Sequence, residues 1–438
     1  MGISNFVFLG IFIVFIGVFI WNLKKIISNI KLGREIDRSD NKPLRLKNMI
    51  RVALGQSKMT RRPIAGVLHI IVYLGFLIIN IEVIEIVVDG IFGTHRFLAT
   101  IIPTSLYDFL IASFEGLAIL VLVACLIFLI RRNVLRIKRF WSKEMTSWPR
   151  TDANLILIFE ILLMGAFLTM NATDTLLVSA GADHYSTTFS NPISQFLHPL
   201  FSGMEQSSLI FLERCFWWFH IIGILGFMNY ILISKHLHIF FAFPSTYFSN
   251  INPLGQFNNL ESVTKEVKLM MDPNADPFSV PTEGASSPPQ TFGAKDATDL
   301  NWVQLLNAYS CTECGRCTDN CPANQTGKEL SPRKILMDTR DRISEIGDNK
   351  RKGIDDNKSL LGDYITKEEL WACTTCNACT DSCPMNLDPL SVIIDLRRYL
   401  VMEQSAAPTE LNMMFTNVEN NGAPWQFPAA DRLKWKDE

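Results

Sequence analysis

The chain has 438 residues and a formal charge of −2; 48% of its residues are hydrophobic and 19% charged. It is too long for one small domain and too apolar for an ordinary soluble protein, so part of it belongs in a bilayer, and no nucleic-acid partner is expected. Its ten cysteines are distributed unevenly: Cys125 and Cys215 lie in apolar runs, and the other eight form two compact groups after residue 310. That is metal-ligand usage and not a disulfide framework.

In chain order, five stretches have the roughly 20 mainly apolar residues that a span needs: about 4–23, 64–91, 106–130, 153–178 and 208–234. All five are expected as helices, because lipid offers the backbone no hydrogen-bond partner. The first is read as a retained span. Met1 to Ser4 has no basic n-region, and Lys24 and Lys25 follow the apolar stretch instead of a small-residue cleavage site. The 24–62 loop holds twelve Lys and Arg and the 131–150 loop seven, whereas 92–105 has only Arg96 and 179–207 has none. The positive-inside rule then puts the N-terminus outside and everything after Lys235 in the cytoplasm, in a bacterial inner membrane.

Residues 1–243 are thus expected to be a five-helix membrane domain. Residues 244–298, with Pro273, Pro277, Pro281, Pro288 and Pro289, read as an irregular linker interrupted by a short helix at Leu260 to Met271. Residues 299–400 read as a mostly α-helical two-cluster domain, and 401–438 as a tail. Ser331-Pro332 caps and opens a helix through about Ile346, and Thr366 to Glu369 is a capping box for a helix that runs into Trp371.

CTECGRCTDNCP (Cys311, Cys314, Cys317, Cys321) and CTTCNACTDSCP (Cys373, Cys376, Cys379, Cys383) both fit C-x2-C-x2-C-x3-C-P, the bacterial two-cluster ferredoxin pattern. Three thiolates on a tight loop wrap one cubane, and the fourth, leaving on a helix, reaches the other. One [4Fe-4S] cluster is therefore assigned to Cys311, Cys314, Cys317 and Cys383, and the second to Cys373, Cys376, Cys379 and Cys321. Structural zinc would leave the third, equally spaced cysteine and the Cys-Pro unexplained. Cys125 and Cys215 read as small buried hydrophobes.

Histidines in the membrane half suggest haem. On one continuous helix His220 and His238 would be five turns apart on the same face, about 27 Å along the axis, with His236 turned about 160° away beside Lys235. His69 lies near the cytoplasmic start of span two, level with His238, and facing imidazoles on two helices are the usual axial pair for a b-type haem. A lone imidazole in a span more often packs helices.

The stretch FHIIGILGFMNYILISKHLHIFFAFP resembles the fifth span of the gamma subunit of respiratory nitrate reductase, in which two histidines each ligate a haem b. The resemblance implies that His69 and His238 hold an inner haem and that His220 supplies one ligand of an outer one. The family's second histidine in span two is replaced here by Ile79 and Asn80. A second haem therefore needs a partner for His220 such as His95, His184 or His198. The whole chain resembles subunits E and C of membrane-bound heterodisulfide reductase joined end to end. That resemblance implies that NVENNGAPW, residues 417–425, docks a cysteine-rich iron-sulfur catalytic partner.

Glu82, Glu85 and Asp89 in span two, Glu115 in span three, Asp174 in span four and Glu213 with Arg214 in span five fall in the outer half. Intramembrane carboxylates are costly, and the functional reading is a quinone pocket with a proton path, tested first at Glu82, Glu85 and Glu115; the plainer reading is interfacial solvation. The chain is accordingly read as an electron-transfer subunit between a membrane quinone, haem b, two clusters and a cytoplasmic iron-sulfur protein or flavoprotein. With no GxGxxG and no flavin site, it is not expected to hold the catalytic centre for the soluble reactant. Two rivals are a stand-alone ferredoxin-quinone oxidoreductase and a haemless iron-sulfur anchor or sensor.

Overall fold

Proline at the first helical turn and glycine just past the last bound many of the helices, as backbone chemistry favours. In a computed structural model of the protein, which describes residues 2–185, 187–273, 291–426 and 429–437, five helices are long and apolar enough to cross a membrane. They are α1 (Ile3–Ile30), α2 (Pro63–Phe92), α3 (Thr104–Leu129), α4 (Ser147–Ser179) and α5 (Gln206–Ile231). Pro63 opens α2, and Gly93, at φ 74°, closes it. Only 6% of α1's apolar window is buried against 44% of α4's, so α4 is the centre of the bundle and α1 its outer edge.

Small residues let the helices touch. A Cβ on Gly75 of α2 would collide with the Val121 side chain of α3, and one on Gly223 of α5 would lie 2.7 Å from Leu163 of α4. Without a hydrophobic drive between helices in lipid, this closeness supplies the dispersion contact that holds them.

After α5 the chain does not continue straight. It turns at Ser234, whose hydroxyl accepts from the His236 amide at 3.1 Å, and α6 (His238–Tyr247) begins afresh. The continuous helix that set His220 and His238 on one face is therefore broken. The cause is local: a serine side chain competes for backbone donors that a helix would use.

The remaining half is also helical, with no strand among the described residues: α7 (Glu261–Met271), α8 (Trp302–Ser310), α9 (Pro332–Lys352), α10 (Pro389–Met402) and α11 (Thr409–Asn421). Asn301, Ser331 and Asp388 cap α8, α9 and α10 with their side chains. The capping box at Thr366 and Glu369 is present. α9 outruns the expected end at Ile346 and stops at Lys352, before Gly353 at φ 67°. Its core packs Ile335, Ile343, Leu390, Ile393 and Leu396, all inaccessible to solvent or nearly so. Ala294 and Ala297, in the stretch read as linker, are fully buried in the same cluster.

The two halves are joined closely. A Cβ on Gly347 of α9 would collide with the Asn29 side chain of α1, and Asn29 also donates to the Tyr309 hydroxyl at 2.9 Å. Arg333 of α9, fully buried, reaches into the basic 131–146 loop. It pairs with Glu144 at 2.6 Å and donates to the Arg139 carbonyl at 2.7 Å and the Ser142 hydroxyl at 3.0 Å. Arg333→Ala would strand the Glu144 carboxylate, at a cost of about 3–5 kcal/mol for a broken buried pair. The expected result is protease cleavage within 131–146 and a lower unfolding temperature; an undisturbed loop would show that the pair does not hold the interface.

Candidate redox centres

The two cysteine loops wind alike. In CTECG, Glu313 and Gly315 have φ of 54° and 72°; in CTTCN, Thr375 and Asn377 have 56° and 60°. Two left-handed residues per loop curl the backbone around the thiols, so that amides point at sulfur: Thr375 N–H donates to Cys373 Sγ at 3.4 Å, and the Glu313 amide bonds Cys311 in the same way. Amides from Met385 and Leu387 reach Cys383, and those from Ala323 and Asn324 reach Cys321. Such N–H to sulfur bonds are among the levers that set a cluster's potential.

Thiols of the two motifs meet in space. Cys311, Cys314 and Cys317 of the first motif line one small cavity with Cys379 and Cys383 of the second, and Cys383 is within electrostatic range of Cys311, Cys314 and Cys317. Cys321 is within range of Cys373 and Cys376. Cys379 completes the second loop and is in range of both Cys373 and Cys317. Burial pushes the Cys311 and Cys379 thiols up to about 12 and Cys383 to about 11. Loading the sites must therefore drive protons off sulfur, which thiolate ligation does.

One group faces the membrane half. The segment before α2 clamps the one-turn helices that follow the loops: Lys58 donates to the Asp381 carbonyl at 3.0 Å, Arg61 pairs with Asp381 at 2.8 Å and Arg62 with Asp319 at 2.5 Å. Arg316 donates to the Lys58 carbonyl at 3.0 Å and is within electrostatic range of Cys314, Cys383 and His69. The other group ends in Cys376, which is exposed.

His69 and His238 do face one another despite the break after α5, with ring centres 6.4 Å apart. An iron bound by two imidazoles at about 2 Å per nitrogen separates ring centres by about 6 Å. His238 Nδ1 is 3.0 Å from the Lys235 carbonyl and His220 Nδ1 is 3.0 Å from the Leu163 carbonyl. Both contacts fix the ring and leave Nε2 free, as a backbone carbonyl commonly does for a histidine that ligates a metal. His69 Nδ1 is buried without a hydrogen-bond partner among the described residues. His236 does not point away: its ring packs edge-on against His238 at 5.4 Å.

His220 meets Phe167 at 5.9 Å, and among the described residues no imidazole is in ring contact with it. His95 and His184 pack on each other at 5.4 Å, and His198 contacts Thr175 at 3.1 Å. The acids divide. Glu115 is saturated, taking the Ile193 amide at 2.8 Å, the Ser194 amide and hydroxyl and the Asn171 side-chain amide, so it ties down the 190–195 loop. Glu82 and Glu85 instead line a cavity of about 210 Å³ with Asp89, Asp174, Glu213 and Arg214.

Sequence reasoning missed three residues. Arg96, seen only as a stray loop cation, is buried among the outer acids. Lys235 holds His238 through its carbonyl and pairs with Glu313 of the first cysteine loop at 2.7 Å. Burial pushes the Glu313 carboxyl up, but Lys235 and Arg340 outweigh that and hold it below the usual range. Glu160, in the middle of α4, is a further intramembrane carboxyl that the sequence pattern did not single out. The loop signal for Arg96 was available, since it is the one cation between two acid-bearing spans.

Comparison with known proteins agrees with the cysteine geometry. Residues 310–387 match the model of the 4Fe-4S dicluster domain, and the chain thus carries an iron-sulfur domain of that class. The chain is 29% identical over 457 aligned residues to the probable iron-sulfur-binding oxidoreductase FadF of Bacillus subtilis, covering 96% of this chain and 59% of that protein. It is 28% identical over 432 residues to the EtfAB:quinone oxidoreductase of Syntrophomonas wolfei, covering 92% and 55%. Over 104 residues it is 34% identical to one subunit of the ferredoxin/F(420)H(2)-dependent CoB-CoM heterodisulfide reductase of Methanosarcina acetivorans, covering 24% and 52%. The chain therefore spans less than two thirds of the length of these relatives. No solved structure matches. The domain and the relatives, with five apolar helices, mark a multi-pass membrane protein that carries iron-sulfur clusters and serves electron transfer.

Proposed function

We propose that the protein passes single electrons between a membrane quinone and a soluble redox partner, through haem b held by His69 and His238 and two [4Fe-4S] clusters held by the crossed cysteine sets. The observation that carries this reading is the facing of His69 and His238 at 6.4 Å, beneath the cysteine group of Cys311, Cys314, Cys317 and Cys383. A bound haem supplies one-electron chemistry; the chain's own part is to orient two imidazoles, exclude water and hold the nearest cysteine loop in register through Lys235 and Glu313.

The order of centres follows: the partner meets the loop of exposed Cys376, electrons cross to the membrane-facing cluster, and then enter the bundle. The partner is a cysteine-rich iron-sulfur protein or a flavoprotein; the name of the Syntrophomonas relative pairs EtfAB with quinone. The basic side, to which the clusters dock, is the cytoplasmic side of a bacterial inner membrane. His220 is the ligand available to a second haem, with its partner undetermined by any ring contact.

The test is a count of cofactors on the detergent-purified chain, with non-haem iron, acid-labile sulfide and a pyridine haemochrome. Two four-iron clusters and at least one b haem are expected. Clusters without haem would reduce the protein to an iron-sulfur anchor.

A further inference from the structure

The outer end of the bundle holds an unusual concentration of buried charge. Arg96, 6% exposed, pairs with Asp174 at 2.8 Å and approaches Glu82 at 3.5 Å, and it also bonds the Asn171 side chain at 2.7 Å. Glu85 takes the Leu98 amide at 2.9 Å and stands within electrostatic range of the same guanidinium. His95 Nε2 contacts the other Asp174 oxygen at 3.2 Å. Three carboxyls thus surround one fixed cation, an excess of acid that unpaired burial forbids unless protons are held there.

Three polar atoms of this cluster have no hydrogen-bond partner among the described residues, one of them the Asp174 Oδ1 that His95 Nε2 approaches. Glu82 is 1% exposed and its Oε2 is unbonded; His95 Nδ1 is likewise buried and unbonded. Both residues line the 210 Å³ cavity, whose other wall is aromatic: Phe8 lies 5.7 Å from Trp217 and 6.1 Å from Trp218. Flat aromatic faces on one side, opposite charged and polar groups that include unpaired donors and acceptors, make a pocket for a planar, two-carbonyl ring.

We propose that this cavity binds the quinone headgroup, with Glu82 and His95 as the groups that exchange protons with its two oxygens. The proposal rests on the quinone reading above. Reduction consumes two electrons and two protons: each C=O becomes C–OH, the electrons arrive singly from the chain's own centres, and the protons leave the Glu82 carboxylic acid and the His95 imidazolium, which become carboxylate and neutral imidazole. Asp174 orients His95, and Arg96 supplies the fixed positive charge that lets the emptied carboxyl ionise. A haem held by His220, one turn below Trp217, would bring a redox centre to this face. Glu115, saturated by the 190–195 loop, takes no part.

The experiment uses an azido-naphthoquinone photolabel on the full chain in nanodiscs, with peptide mapping, alongside reduction of 2-methyl-1,4-naphthoquinone by the dithionite-reduced protein. Label is expected on the peptides around 82–96 and 213–218, displaced by excess unlabelled naphthoquinone. Glu82→Gln should keep the label and the cluster EPR signals but slow turnover about a hundredfold, the scale of a lost proton-transfer group, with KM changed far less. Label at the cytoplasmic end of the bundle, with quinone still reduced, would overturn this site and leave the quinone reading intact. Absence of both displaceable label and quinone reduction would end both. Unaltered turnover in Glu82→Gln would remove Glu82 from the proton path and overturn the proposal.

Discussion

Cys383→Ser is expected to erase the EPR signal of the same cluster that Cys311→Ser erases, and to leave the signal of the cluster that loses a ligand in Cys373→Ser. The reason is the proposed crossed ligation: Cys383 belongs to the second sequence motif but lies, like Cys379, in the cavity of Cys311, Cys314 and Cys317, and it is within electrostatic range of all three. A serine oxygen is a poorer iron ligand than a thiolate, and cluster binding is coupled to the folding of the loop that makes it. Because this cluster is the one against the Lys58 to Arg62 segment and α2, its loss should cut electron transfer into the membrane half to a few per cent or less. Transfer between the partner and the remaining cluster should persist. If Cys383→Ser instead affected the cluster of Cys373, the ligands would follow the sequence motifs uncrossed and the order of centres would change.

The second large effect is expected at the histidine pair. His238→Ala or His69→Ala should each remove the same b-type absorption, since a haem held by this pair would keep only one of its two imidazoles. The clusters should survive, because neither histidine is a cluster ligand. His236 stands 5.4 Å from His238, so a residual haem spectrum with altered axial ligation in His238→Ala would identify His236 as a rescuing ligand; an unaltered spectrum in either variant would refute the pair. Lys235→Met should act more mildly. It keeps the carbonyl that orients His238 but removes the bond to Glu313, so the expected result is a shift in cluster potential with haem content unchanged.

Much of this was legible in the sequence, for physical reasons that differ by element. The five spans are long apolar runs, and lipid permits only helix for them. The cysteine spacing C-x2-C-x2-C-x3-C-P points to a two-cluster iron-sulfur domain, and residues 310–387 match that of the 4Fe-4S dicluster class. What was not legible came from tertiary structure. Ser234 broke a helix that hydropathy would have continued, which invalidated the helical-face argument for His220 and His238 even though His238 still faces His69. Glu82, Glu85 and Glu115 look alike as intramembrane acids, but the loop at Ile193 and Ser194 saturates Glu115 while Glu82 keeps an unpaired oxygen toward a cavity. Arg96 lies between spans in sequence and folds inward in a left-handed conformation, φ 57°, that its neighbours' carboxylates sustain.

The most direct test of the account is an anaerobic rapid-mixing measurement on the purified protein. Its clusters are reduced with dithionite, excess reductant is removed, and 2-methyl-1,4-naphthoquinone is added while cluster EPR and b-type haem absorption are followed together. The account predicts that cluster and haem signals both oxidise, with one quinol formed for every two electrons lost, and that His238→Ala leaves the clusters reduced. Clusters that stay reduced in the native protein while passing electrons freely to a soluble acceptor would contradict it.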